Sequence, residues 1–258
     1  MGRCISIIIP CKDDGPSLYS LLREISENRT SFISASEHEI LIVDESYEPE
    51  SIKLIEIIRQ EFNELNIRII KVPRGYGLLL SEALGLREAK YPVKIVMDGD
   101  MQHNPLDINK IVGKLDEGFD IVIGSRFIEG GEFEGPRKRK FVSLIANFYV
   151  KLALPFTFDL TDTTSGFFGI SQRVCIDGCG YPEGKLLGSK TLLFILSQNS
   201  NLRKTEVPIK FRKRLYGKSK LLNISYAINF PLEILKIRKI YLYSLKFKIR
   251  ANTFRLKG

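Results

Sequence analysis

The first half of the chain alternates two hydrophobic patterns. Cys4 to Pro10 is a continuous, mostly β-branched run, whereas Ser17 to Asn28 spaces its apolar residues at Leu18, Leu21, Leu22 and Ile25. An unbroken apolar run fits a strand buried on both faces, and spacings of three and four place side chains on one stripe of a helix. The alternation continues: a strand over Glu39 to Val43 ending at Asp44, then a helix over Glu50 to Leu65 with Ile52, Ile55, Ile58 and Phe62 on one face. Next come a strand at Ile67 to Val72, a helix at Leu78 to Lys90 and a strand at Val93 to Met97. A helix at Asp107 to Glu117 and a strand at Asp120 to Ile123, running into Gly124-Ser125-Arg126, complete the series. Strands and helices in this order predict an α/β fold, a mostly parallel sheet with helices on both faces.

The second half is less regular. Glu129 to Gly135 is Gly-rich and acidic, Pro136-Arg137-Lys138-Arg139-Lys140 is a basic run, and Phe141 to Leu154 has helical spacing. Asp162-Thr163-Thr164-Ser165-Gly166 reads as a polar turn leading into an apolar strand, and Lys204 to Arg214 holds another strand interrupted at Pro208. From Leu222 the chain is apolar and then cationic, with eight basic residues and no acid between Lys236 and Lys257. We expect one domain over residues 1–221 and a basic amphipathic extension over 222–258. The interleaved apolar and cationic positions after Lys236 suit a helix lying on an anionic membrane surface, or a packed helix with a solvated basic face.

The 258 residues suffice for one large α/β domain with a sizeable core. No run approaches the roughly 18 apolar residues that span a bilayer. The formal charge of +9 calls for an anionic partner. Nucleic acid would account for that charge but not for converging acids, and no groove helix with base-reading residues is present. Cys4, Cys11, Cys175 and Cys179 lack the accompanying ligands of a zinc site and are expected to be reduced thiols.

In sheets of this kind ligands bind beyond the carboxyl ends of the strands. Asp14, Asp44, Asp98, Asp100 and Arg126 all follow such ends. The densest chemistry is Met97-Asp98-Gly99-Asp100-Met101-Gln102-His103, where an apolar run stops at two carboxylates. Residues two apart in extended backbone face one way, so Asp98, Asp100 and Gln102 converge, and Gly99 allows a ligand close to the backbone. Two carboxylates and an amide oxygen form a hard-oxygen set suited to Mg2+ or Mn2+, although a solvated Asp-Gly turn has the same spacing. His103 stands beside that set, and His38 lies before a strand, away from it.

These motifs resemble the inverting GT-A glycosyltransferases of family 2, and among them the dolichol-phosphate mannose synthase branch. The similarity runs from about Ser6 to Leu221 through Ile7-Ile8-Ile9-Pro10, Ile42-Val43-Asp44, Arg74-Gly75-Tyr76-Gly77, Asp98-Gly99-Asp100, Gly124-Ser125-Arg126, Thr164-Ser165-Gly166 and Gly217-Lys218-Ser219-Lys220. The resemblance implies that Pro10, Asp14 and Asp44 line the pocket for the donor's base and ribose. It implies that Asp98, Asp100 and Gln102 hold a divalent cation bridging the donor diphosphate, with Gly99 beneath the donor. Arg126, Arg139 and Ser143 would grip the phosphate of a lipid acceptor, with Arg137 as the alternative to Arg139, and Arg214 and Lys220 would contact the diphosphate. Asp100 and Arg126 would be the catalytic pair. The implied reaction moves a hexose from a nucleotide sugar (GDP-mannose or UDP-glucose) to a polyprenyl or dolichyl phosphate. It would take place in the cytoplasm, peripherally on the cytosolic membrane face, with a membrane subunit as a further partner. The competing readings are a glycan or soluble hydroxyl acceptor, and a nucleotide-sugar-binding subunit without turnover. This chain departs from the family pattern at Cys11-Lys12-Asp13-Asp14, at Glu45-Ser46-Tyr47 and at Phe194, where relatives often carry an acid.

Overall fold

The computed structural model describes residues 4–28, 31, 37–174, 191–199, 201–215 and 229–243. The apolar runs become the strands of one sheet. They are β1 (Cys4–Cys11), β2 (Glu37–Asp44), β3 (Ile67–Lys71), β4 (Val93–Val96), β5 (Ile121–Ser125), β7 (Phe168–Ile170) and β8 (Lys204–Pro208), in the order β3-β2-β1-β4-β7-β5-β8. Neighbours pair in parallel except around β7, which runs antiparallel to both β4 and β5. Two short strands, β6 (Glu132–Phe133) and β9 (Lys210–Phe211), pair in parallel outside it.

Alternation along each strand sorts its side chains onto two cores. Ile5, Ile7, Ile9, Ile40 and Ile42 face one layer, where helices α1 (Gly15–Glu27), α2 (Pro49–Glu61) and α4 (Ile108–Asp116) lie. Ile8, Leu41, Val96, Ile121 and Ile123 face the other, built by α3 (Leu78–Glu88), α5 (Arg137–Ala153), α6 (Thr191–Gln198) and the helix α7 over 229–243. Both faces are covered, as the unbroken apolar runs require.

Three expectations are adjusted. The helix expected to reach Leu65 ends at Glu61 and continues as a short 3₁₀ turn, closed by Asn66 in the left-handed conformation (φ 47°). The helix expected from Phe141 begins at Arg137, after Pro136 at the N-cap position, so the basic run is its first turn. His38 lies inside β2 as its second residue, and so at the edge opposite the rim of strand carboxyl ends. Of the C-terminal extension only α7 falls within the described residues. Its Phe230, Ile234 and Ile237 are buried in the second core, and Tyr241 packs its ring 4.6 Å from that of Phe156.

Candidate active site

All the parallel strands deliver their carboxyl ends to one rim, and β7, running the other way, delivers its beginning there. β4 ends at Val96, so Met97 carries the chain out of the sheet and Asp98 begins the loop. The loop is tightly held. Gln102 N–H donates to Asp100 Oδ1 at 3.1 Å, and Asp98 N–H donates to His103 Nδ1 at 3.2 Å. Gly166, just before β7, leaves room for Asp98: a Cβ there would stand 3.0 Å from Asp98 Oδ2. Burial and the negative charge of Asp100 push the Asp98 carboxyl well above its ordinary value, with Asp14 adding to the effect. A bound cation relieves that repulsion, and the Asp98 side chain keeps 31% of its surface open to receive one. The donor set therefore fits a hard divalent cation. Asp98 and Asp100, with the Gln102 amide beside them, are the residues that could hold one; among the described residues no three His, Cys, Asp or Glu side chains converge.

Cations surround this carboxylate pair. Arg214 donates to Asp100 Oδ2, and Arg139 donates to Gln102 Oε1 at 2.9 Å. Arg126, just past β5, is bound along one edge to Asp162, Nε to Oδ2 and Nη2 to Oδ1, each at 2.6 Å. Its Nη2 also reaches Thr164 Oγ1 at 3.0 Å. Asp162 is in turn held by its own backbone N–H on Glu206 at 2.7 Å and by Asn147 Nδ2 at 3.5 Å. The ring of Phe211 lies 5.2 Å from the guanidinium carbons of both Arg126 and Arg139. Arg139, Ser143 and Asn147, four residues apart along α5, are all buried on its inner face. Arg126 is neutralised by its carboxylate, whereas Arg139 has no carboxylate partner among the described residues. Burial and the nearby positive charge of Arg214 lower its proton affinity. Cations in a first helical turn also oppose the helix dipole. An anion docked between Arg139 and that turn removes both penalties.

The adjoining stretch of the rim, after β1 and β2, is an ordered set of loops. Asp44, at the end of β2, accepts from Ser46 N–H and from Lys71 Nζ, both at 2.7 Å. Glu45 accepts from Lys12 Nζ at 2.6 Å and from the N–H groups of Gly75 and Gly77, both at 2.8 Å. Those glycines have φ of 85° and 88°, the left-handed region that glycine adopts without strain. Burial works against the Glu45 charge, but these three donors outweigh it and hold the carboxyl below its ordinary value. Pro10 lies at the end of β1 and Asp14 begins α1, whose first turn follows directly. The half-exposed Tyr47 ring carries the Arg74 guanidinium 4.1 Å from its centre, a flat surface at the mouth of these loops.

Two buried groups differ from what the rim suggests. Burial pushes His103 down to about 4, and its ring stacks 4.9 Å from Phe167, so it is neutral at physiological pH. It accepts from Asp98 N–H and orients the loop; it is not an acid or base. Glu82, on α3, is 1% exposed and neither carboxyl oxygen has a hydrogen-bond partner of normal geometry among the described residues. Burial pushes it from 4.5 up to about 8, against the lowering effect of the nearby Thr191 hydroxyl. Between those values the folded chain keeps a proton that the unfolded chain has released, so stability falls as pH rises. Glu82→Gln, the shape of the protonated acid, is expected to remove that dependence. Denaturant titrations at pH 6 and pH 8 check this: wild type is expected to lose roughly 1 kcal/mol per pH unit relative to the variant.

The structure thus gathers Asp98, Asp100, Gln102, Arg126, Arg139, Ser143 and Arg214 on one stretch of the rim, with Pro10 and Asp14 after the neighbouring strand β1 and Asp44 after β2. Gly99 sits over Ile9, where a Cβ would come within 3.0 Å of its side chain. Arg137 is exposed, while Arg139 is the member of the pair turned inward. Lys220, the Gly217 loop, Cys175 and Cys179 lie outside the described residues. Cys11 is a free buried thiol pushed up to about 12 by burial, and it takes no part in this chemistry. Sequence reasoning missed Asp162 and Asn147. Asn147 was legible from its spacing to Arg139 and Ser143, whereas Asp162 finds Arg126 only through the tertiary fold.

Residues 6–178 match the model of the family described as Glycosyl transferase family 2. A dolichol-phosphate mannosyltransferase from Pyrococcus furiosus is 32% identical over 218 residues, covering 84% of this chain and 59% of that protein. The chain therefore spans about three fifths of the length of that relative. A dolichol-phosphate mannosyltransferase from Mycosarcoma maydis is 30% identical over 223 residues, covering 84% of this chain and 73% of its own. Among solved structures, glucosyl-3-phosphoglycerate synthase from Mycobacterium tuberculosis, crystallised with Mg2+ and UDP, superposes with a TM-score of 0.67 at 16% identity. The superposition covers 92% of this chain and 80% of that one. At that identity the likeness concerns the fold alone. With a family match over about two thirds of the chain, the chain belongs to glycosyl transferase family 2, and its sheet has the GT-A fold.

Proposed function

We propose that this enzyme transfers a hexose, with mannose favoured, from a nucleotide sugar to a polyprenyl or dolichyl phosphate, with inversion, at the cytosolic membrane face. The observation that carries this reading is Arg139: a buried guanidinium beside the carboxylate pair, with no carboxylate of its own among the described residues. A site that buries such a charge is built for an anionic ligand. The two relatives named dolichol-phosphate mannosyltransferase support a phosphorylated lipid in that role.

Pro10, Asp14 and Asp44 line the base and ribose pocket, with the Tyr47–Arg74 stack as a flat wall. Asp98 and Asp100 hold Mg2+ or Mn2+, with Gln102 beside them, and Arg214 and Lys220 meet the diphosphate. The ion supplies Lewis acidity that stabilises the departing nucleoside diphosphate. Arg139, the open edge of Arg126 and Ser143 orient the acceptor phosphate. One of its oxygens attacks the anomeric carbon from the side opposite the diphosphate, and the bond to that leaving group breaks as the new one forms. The configuration inverts, and the electron pair leaves with the nucleoside diphosphate. A phosphate monoester is already anionic, so no side chain has to remove a proton. A hydroxyl acceptor needs a general base; His103 is buried and pushed down to about 4, and Asp100 is committed to the cation in this reading.

The lipid reading also draws on the outer face of α5. Phe141, Leu144, Ile145, Phe148 and Leu152 form one exposed apolar stripe there, directly behind the phosphate-facing Arg139 and Ser143. Exposed Lys138 and Lys140 begin the same helix, and α7 adds exposed Leu235 and Leu242 beside Lys236, Arg238 and Lys239. An apolar stripe edged by cations suits peripheral contact with an anionic leaflet. No helix among the described residues is long and apolar enough to cross a membrane.

The test is transfer of labelled sugar into the organic phase. Purified protein, Mn2+ or Mg2+ and polyprenyl phosphate are incubated with GDP-mannose and UDP-glucose in parallel. Label from one donor supports the reading and names the nucleotide; label from neither, with nucleotide-sugar binding intact, contradicts the lipid acceptor.

A further inference from the structure

Resting on the cation reading above, we propose that Arg214 and the divalent cation exchange on Asp100, so that Arg214 holds the site until a nucleoside diphosphate draws it away. Asp100 Oδ2 is bound by Arg214, and Asp100 Oδ1 by Gln102 N–H. Both oxygens of this ligand are therefore engaged by the chain itself. A cation that takes Asp100 must displace or share the guanidinium, and two positive charges on one carboxylate repel. Gln102 repeats the pattern, because its Oε1 accepts from Arg139.

The displaced guanidinium has a defined tether. Residues 210–214 cross the site as a strap, and the strap is pinned two residues before Arg214. Arg212 N–H donates to the Gln102 carbonyl at 2.7 Å, and Gln102 Nε2 donates back to the Arg212 carbonyl at 3.1 Å. Arg212 Nη1 reaches both carboxylate oxygens of Glu24 on α1, at 2.9 and 2.8 Å. Phe211 is clamped between the guanidiniums of Arg126 and Arg139. The strap stays in place while the Arg214 side chain, 21% exposed, changes partner. Leaving Asp100 places it beside the cation, where the diphosphate oxygens arrive. Cation and diphosphate each favour the arrangement the other needs, so their binding is coupled.

The distinctive consequence is a change of sign. Arg214→Ala is expected to bind Mn2+ alone about tenfold more tightly than wild type and, with GDP or UDP present, about tenfold more weakly. Free Mn2+ is read by electron paramagnetic resonance on the purified full chain, with Arg214→Gln as a second variant and thermal melting as the check of folding. Lys213→Ala removes the same charge from an exposed neighbouring side chain and is expected to leave Mn2+ affinity within about twofold of wild type. Unchanged or weaker binding of Mn2+ alone by Arg214→Ala overturns the exchange, as does equal tightening by Lys213→Ala. If wild type binds no Mn2+ with or without nucleotide, the cation reading falls as well, which the first outcome leaves standing.

Discussion

Asp100→Asn is expected to lower turnover by at least about a thousandfold while leaving the fold intact. The substitution keeps the shape of the side chain and an oxygen for the 3.1 Å contact from Gln102 N–H, so the loop after β4 retains its form. What it removes is charge. Asp98 then faces the cation alone, and the developing charge on the leaving diphosphate loses its stabilisation. The several kcal/mol that a Lewis acid contributes to such a transition state convert directly into that loss of rate. Asp98, relieved of its neighbour's repulsion, is expected to return toward an ordinary carboxyl affinity. Single-turnover rates at saturating donor, with melting temperature measured alongside, check both halves of the expectation. Retained metal-dependent turnover would remove Asp100 from the site.

Arg139→Ala is the second large effect, and it falls on the acceptor. Charge-assisted contacts of a buried guanidinium contribute up to about 3 kcal/mol, so the acceptor KM is expected to rise on the order of a hundredfold. Donor binding is expected to change little, since Arg139 touches Gln102 and the Phe211 ring rather than the loops after β1 and β2. Arg126 makes a useful contrast. Its fork is filled by Asp162, and removing one partner of such a buried pair strands the other charge, at a cost of about 3–5 kcal/mol in stability. Loss of activity at Arg126 therefore mixes folding with chemistry, whereas loss at Arg139 reports the acceptor. An equal fall in donor and acceptor binding on Arg139→Ala would place the acceptor elsewhere.

Much of this arrangement was legible in the sequence because the first half of the chain is periodic. Buried strands such as Ile7-Ile8-Ile9 and stripes such as Leu18, Leu21 and Leu22 leave one reading of their faces, and strand ends locate the rim without further information. The second half was harder for physical reasons. β7 is three residues long and gives no period, yet its antiparallel insertion between β4 and β5 is what brings Gly166 against Asp98. The basic run from Arg137 carries no apolar period, so the start of a helix there after Pro136 does not show. Only with that helix in place does the four-residue spacing of Arg139, Ser143 and Asn147 become an inner face. Asp162 and Glu82 were invisible for a different reason. A carboxylate is placed by default in water, and whether it is buried against Arg126 or left without a partner is decided by contacts 36 or more residues away. Phe194, one of the departures from the expected pattern, is a buried residue of helix α6.

The measurement that bears most directly on the account compares two acceptors that differ only in the phosphate. Labelled nucleotide sugar, Mn2+ and purified protein are offered a polyprenyl phosphate or the corresponding free polyprenol, and label in the organic phase is counted. The Arg139 site predicts transfer to the phosphate alone, abolished by Asp100→Asn and recovered in Arg139→Ala only at much higher acceptor concentration. Equal transfer to the free alcohol would contradict it.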